Sequence, residues 1–231
     1  MSTTSLPTWP AAWEVSLGDT RATAPALERL QQLLLGSSEA TRPVARLELP
    51  LKLDHFITPA SLARMRAAAV LVPVLDHAAG ATILLTRRAE TLRNHKGQIS
   101  FPGGGRDEGD ANLTATALRE AHEEVGLDPA LVRVIGYLDD YPVLSGYRIT
   151  PVVGVVREAF TPVIDPGEVA ETFELPLDVL LAEKSFERKI LSREGFNVPF
   201  FELNHAGHRI WGATAGILWN LRQKLLGRQD S

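Results

Sequence analysis

The 231-residue sequence contains no cysteine. That excludes disulfides, a thiolate metal site and a cysteine nucleophile, and it fits a reducing compartment. Long hydrophobic runs are also lacking: stretches such as Ala67–Val74 fall far short of a membrane span. The opening MSTTSLPTWPAAWEVSLGDT has no basic run followed by an apolar stretch, so no signal peptide is expected. The expectation is a cytoplasmic protein with no membrane partner. Nor is there an excess of positive charge. Lys+Arg 24 against Asp+Glu 28 leaves a net charge of -4, which argues against nucleic acid as a partner but not against a local basic pocket for a phosphorylated ligand. No internal repeat or low-complexity tract is visible.

What is present describes an ordinary globular protein, 45% hydrophobic and 23% charged. Residues 1–24 read as a loose arm and 25–231 as a single domain with an N-terminal helical extension. Helical spacing marks 26–35, which stops at Gly36. Residues 43–55 read as extended and 59–67 as a short helix opened by Thr58 and Pro59. Strands are expected at 68–74 and 82–86, joined by a five-residue turn at 76–80, then at 98–101. A glycine-bearing loop at 103–110 precedes a helix from about 112 to 125. Further strands fall at 132–138, 149–156, 172–175 and 196–203, a short helix starts at 178–181, His205–Gly207 turns, and a closing helix spans about 212–226. Mixed strands separated by helices predict an α/β fold with a mixed sheet packed by helices.

The chemistry concentrates in GRDEGDANLTATALREAHEEVG, residues 105–126. With Leu118 at the centre of a helical projection, Ala115, Ala117, Ala121, His122 and Val125 fall in one broad apolar arc. Glu120, Glu123 and Glu124 fall together on the opposite side, and Leu113 projects with them. Like charges at i, i+3 and i, i+4 repel, and near a helix C-terminus they also oppose the macrodipole. A solvent-facing acidic stripe is one reading. A divalent cation is the other, because hard cations take several oxygen ligands and bind substrate phosphates. Just upstream, LLTRRAETLRNHKGQISFPGG (84–104) packs Arg87, Arg88, Arg93, His95 and Lys96 within ten positions. It is either a solvated charged loop or a phosphate-binding one, since arginine forks match phosphate oxygens.

Gly104 to Leu127 resembles the Nudix box of the nucleoside-diphosphate-linked-X hydrolases, most closely in its helical half, Arg119-Glu120-Ala121-His122-Glu123-Glu124-Val125-Gly126-Leu127. Counting from Gly104 puts Asp110 where the usual box has a glutamate, with one residue more before Arg119. The stretch Leu84-Leu85-Thr86-Arg87-Arg88, with Leu92, His95, Gly97 and Phe101-Pro102-Gly103-Gly104, looks like the added signature of the coenzyme A pyrophosphatase branch, which also shows Asp107 and Asp110 after its glycines. The resemblance covers roughly residues 60–220.

The resemblance implies a Nudix-type α/β/α sandwich with a mixed β-sheet. It also implies hydrolysis of the pyrophosphate of coenzyme A or its thioesters to 3′,5′-ADP and 4′-phosphopantetheine or its acyl form. Mg²⁺ or Mn²⁺ would be held by Glu120 and Glu124, with Glu123 supporting and the Gly104 carbonyl adding an oxygen. Arg119 would orient the carboxylates. The general base is open: Glu168 is the first candidate and Glu171 the alternative. The basic set Arg87, Arg88, Arg93, His95 and Lys96 would meet the substrate. Tyr141, Tyr147 and Trp211 are expected to pack, with stacking on a base as the alternative. The apolar pattern near the C-terminus allows a homodimer. ADP-ribose, NADH or nucleoside triphosphates remain rival substrates. A domain that binds without catalysis would be expected to have lost carboxylates that are intact here.

Overall fold

A computed structural model describes residues 23–45, 47, 57–92, 94–193 and 196–227. Residues 1–22 of the arm expected at 1–24, residues 46 and 48–55 of the stretch expected as extended at 43–55, and Arg93 lie outside the described residues.

The strand run at 66–77 fixes the layering. In β1 (Arg66–His77) the even positions Val72 and Val74 are buried on one side and the odd positions Ala69, Leu71 and Leu75 on the other. A strand apolar on both faces needs cover on both. On the odd-numbered side lies α3 (Leu113–Val125), whose Leu113, Ala117, Ala121 and Val125 pack with Leu71, Leu84 and Val152. The other side is covered by α1 (Thr23–Leu34), α4 (Leu177–Leu181) and α5 (Gly212–Leu225), around Val72, Ile83, Leu85 and Val153. The result is an α/β/α arrangement, as the residue patterning predicts.

The sheet is mixed. β1 runs parallel to β7 (Tyr147–Val156) and antiparallel to β2 (Gly80–Arg88) and to β4 (Gly103–Gly105). The path continues from β2 to β3 (Ile99–Ser100) and from β7 to β5 (Val132–Tyr137); β6 (Tyr141–Val143) adds to β7, and β8 (Val169–Pro176) to β2. A second, antiparallel sheet joins β9 (Phe186–Arg193), β10 (Phe196–His205) and β11 (His208–Trp211). It leans on α5 through Phe201, whose ring stacks on Trp219 at 4.2 Å. Among the described residues no helix is long and apolar enough to cross a membrane.

Several boundaries differ from those expected. The β1–β2 turn is tighter: the ladder runs on to His77 opposite Gly80 and leaves only Ala78 and Ala79 between. The helix expected at 59–67 is shorter: α2 (Pro59–Arg64) stops at Arg64, because Met65 is already extended and leads into β1. The first helix starts earlier, at Thr23. The glycine run expected as a loop is a strand whose backbone pairs Gly103–Gly105 with Val70–Ala68.

Candidate active site

α3 is set at both ends by local chemistry. The Asn112 side chain accepts the Ala115 N–H at 2.8 Å, and Gly126 closes the helix in the left-handed region at φ 69°, where glycine carries no Cβ penalty. Packing against β1, β4 and β7 buries a face turned away from the one centred on Leu118: Leu118 and Ala115 are only half-buried, and Ala117 and Ala121 lie at the middle of the contact. Leu113 is buried with the apolar set, whereas His122 is exposed, so both expectations reverse. The three glutamates also separate. The side chains of Glu124, Glu120 and Glu123 are 3%, 15% and 57% exposed. Thr116, Glu120 and Glu124 form an i, i+4 seam along the edge of the packed face, and Glu123 sits one step round it, toward solvent.

Opposite that seam lies β4. A Cβ on Gly104 would stand 2.5–2.7 Å from the carboxylate atoms of Glu120, so only glycine lets that carboxylate lie against the backbone here. Arg119 organises the outer part. Its guanidinium donates to Asp110 Oδ1 and Oδ2 at 3.0 Å each, to Glu120 Oε1 at 3.0 Å, to Glu123 Oε2 at 2.9 Å and to the Gly105 carbonyl at 3.3 Å. Asp110 is buried and also accepts from the Thr116 hydroxyl and the Asp107 N–H. The Arg119 hydrogen bonds, ahead of those two, hold its carboxyl far below the usual range. The displaced acid of the box is therefore the anchor of Arg119, and it stands behind the seam.

The deepest carboxylate of the site is Glu124. Its Oε2 is buried with no hydrogen-bond partner among the described residues. Burial pushes its carboxyl up to about 8; the charges of Glu120 and Glu168 add to the rise, while Arg88 and the Gly103 N–H oppose it. Burial likewise raises Glu120, against the pull of Arg119 and with help from Glu123 and Glu168. Glu168 reaches this neighbourhood because its loop is tied to the end of α3. Val163 N–H donates to Val125 O at 2.9 Å, Asp165 N–H to Glu124 O at 3.0 Å, and the Glu168 carbonyl accepts from Ala89 at 2.8 Å.

The basic stretch divides by strand parity. Arg88, at the end of β2, turns toward α3 and brings Nη1 to 3.8 Å from Glu124 Oε1. Arg87 points to the other face and pairs with Glu171 at 2.6 Å and with Glu90 at 3.6 Å. Glu171, the alternative base, is thus drawn to Arg87 and His208. His95 and Lys96 are exposed on the connecting loop, with His95 Nδ1 at 2.8 Å from Gln98 Oε1.

Sequence reasoning missed the groove beside this site. It measures about 1730 Å³ and has Arg88, His95 and Gly103 among its lining residues together with Phe200, Trp211 and Trp219. Its wall is the β9–β10 hairpin, and β9 was not anticipated. The signal available was the alternation in Phe196–Leu203, which needs a partner strand. Tyr141 also lines the groove, packed so closely on α5 that a Cβ on Gly216 would meet its hydroxyl. Tyr147 lies under the Arg66 guanidinium, 4.0 Å from ring centre.

Among the described residues no three acidic or histidine side chains are arranged as a ready metal-ligand set. The reason is visible: Arg119 holds Glu120 and Glu123, and Arg88 faces Glu124. The donor chemistry nonetheless fits a hard divalent cation, because a buried carboxylate oxygen without a partner, next to a second raised carboxylate, is costly until a cation or proton satisfies it.

Comparison with known proteins agrees with this geometry. The family model for the NUDIX domain matches residues 65–193. The uncharacterized Nudix hydrolase NudL of Photorhabdus laumondii subsp. laumondii is 41% identical over 160 residues, 69% of this chain and 85% of its own. The same-named protein of Cronobacter sakazakii is 40% identical over 181 residues, 74% of this chain and 94% of its own. Among solved structures, the Nudix hydrolase RenU from M. smegmatis is 21% identical, with a TM-score of 0.44 over 71% of this chain and 87% of that one. The NUDIX domain of Shewanella oneidensis NrtR, solved with ADP ribose, is 21% identical with a TM-score of 0.40, over 56% and 84%. On the span of the family match, the 40% identity along most of both chains and the glutamate seam of α3, this chain belongs to the Nudix hydrolase family, acting on a nucleoside diphosphate linked to a further moiety.

Proposed function

We propose that this Nudix hydrolase cleaves the pyrophosphate of coenzyme A or its thioesters, releasing 3′,5′-ADP and 4′-phosphopantetheine or its acyl form. The observation that carries the reading is the groove. Arg88, which lines it, stands beside Glu124, while Phe200, Trp211 and Trp219, with Arg188 among them, belong to an extended and mainly apolar and aromatic lining. Such a shape suits a diphosphate that continues into a long, weakly polar arm. ADP-ribose and NADH present a second sugar there, and a nucleoside triphosphate has no arm to place.

In this reading Glu120 and Glu124 hold Mg²⁺ or Mn²⁺, supported by Glu123 and the Gly104 carbonyl. When bound, the cation supplies positive charge that activates water and neutralises the diphosphate. Glu168 is exposed, acts electrostatically on both glutamates and takes the proton of the attacking water. Arg119 is a positioning residue: tied to buried Asp110, it fixes Glu120 in direction and holds it beside Gly104. Arg88 offers its guanidinium to the phosphates, with His95 and Lys96 on the connecting loop; Arg93 and Arg87 belong to the same basic segment of sequence, and Arg87 steadies it through Glu171.

A substrate panel tests the specificity. Purified protein with Mg²⁺ or Mn²⁺ is offered coenzyme A, ADP-ribose, NADH and deoxynucleoside triphosphates, and kcat/KM is compared. Preference for coenzyme A is expected. Turnover of another diphosphate with coenzyme A untouched would retain the Nudix chemistry and remove the assignment of substrate.

A further inference from the structure

Arg88 occupies an unusual position for a phosphate-binding residue. Its backbone is pinned on both sides: its N–H donates to the Gln98 carbonyl at 3.0 Å, and its carbonyl accepts from Gly97 at 3.1 Å. A register shift against β8 falls between Arg87 and Arg88. The side chain therefore leaves a fixed point. It is 25% exposed and ends between the buried Glu124 and the groove. Yet it is fully satisfied by neither. The approach to Glu124 Oε1 is 3.8 Å, beyond hydrogen-bond reach, and its Nε is buried without a hydrogen-bond partner among the described residues.

We infer that Arg88 is an exchangeable cation: it faces Glu124 in the metal-free protein and passes to the substrate's diphosphate when a divalent cation takes Glu124. The inference rests on the metal assignment made above. The physical reason is charge. A cation at Glu124 and a guanidinium a few ångströms away repel, more strongly in a partly buried site than in water. The groove offers Arg88 somewhere to go, and phosphate oxygens are the partner its fork matches best. Before substrate arrives, Arg88 then competes with the cation; afterwards it joins the cation in holding the diphosphate. Cation and substrate bind cooperatively as a result, and the coupling is reciprocal.

The test reads binding, apart from turnover. Mn²⁺ alone is titrated into the full chain and followed by the electron paramagnetic resonance of the free ion, for wild type, Arg88→Ala and Arg88→Lys. ADP binding is then measured at saturating Mn²⁺. Arg88→Ala is expected to bind Mn²⁺ about fivefold or more tightly than wild type and ADP about fivefold or more weakly. Arg88→Lys keeps the charge and is expected to bind Mn²⁺ as wild type does. A purely structural arginine would lower Mn²⁺ affinity on removal, by letting Glu124 move. Mn²⁺ binding by Arg88→Ala that is equal to or weaker than wild type, or ADP binding that is unchanged, overturns the inference and leaves the metal assignment standing. Failure of the wild type to bind Mn²⁺ at all overturns both.

Discussion

Two residues carry distinct, separable consequences. Gly104 allows the Glu120 carboxylate to touch backbone. Gly104→Ala is expected to displace that carboxylate and reduce kcat by about 10²-fold, the usual cost of an ångström-scale misplacement, while circular dichroism and melting temperature stay near wild type. Glu124 gives a pH signature. Its carboxyl rises from 4.5 to about 8 on folding, so its contribution to stability is fully present below pH 4.5 and is lost as pH rises through about 8. Glu124→Gln removes a buried charge without changing shape. In chelator, the variant is expected to melt above wild type at pH 8 to 9 and to converge with it near pH 4, while its metal-dependent activity disappears. A melting difference independent of pH would contradict this. Legibility at this scale was uneven. Arg119 and the box glutamates stood out by spacing, but the separation of Glu123 from Glu124 depends on how far the sheet wraps the helix, which a projection of one helix does not contain.

Among the elements, α3 was the most readable, because a cap, a 3.6-residue period and a glycine stop agree over Asn112–Gly126. β4 and β9 were the least readable, for opposite reasons. Gly103–Gly105 has no side chains to alternate, so its pairing is purely a backbone matter. In β9, Glu187, Arg188 and Lys189 put charge on both faces of an edge strand, which hides the period of two. α3 also depends on its preceding loop through Asp110. Asp110→Ala would leave Arg119 and the Thr116 hydroxyl without their buried acceptor and is expected to lower stability by about 2–3 kcal/mol in urea unfolding. Asp107→Ala, whose side chain is exposed and 3.6 Å from Arg119, is expected to stay within about 0.5 kcal/mol of wild type.

For the molecule as a whole, the mixed sheet with helices on both faces followed from the two-sided apolar run of β1. The groove did not, because it arises only when the second sheet is brought against α5 and the β6–β7 hairpin. That assembly distinguishes this site from a bare glutamate helix on a sheet. Trp211 lines the groove, with its ring 6.0 Å from that of Phe200. If the groove holds the substrate's arm, Trp211→Ala should raise KM for coenzyme A about tenfold, as expected for losing one buried aromatic contact, with kcat little changed. An equal rise in KM for ADP-ribose would argue that the groove holds the nucleotide instead.

The most direct measurement is product identification from coenzyme A, with Mg²⁺ or Mn²⁺, wild-type protein and a Glu120→Gln control. Release of 3′,5′-ADP and 4′-phosphopantetheine is expected from the wild type, and of neither from the variant. Intact coenzyme A after prolonged incubation with folded, metal-supplied wild type, or equal turnover by Glu120→Gln, would contradict this.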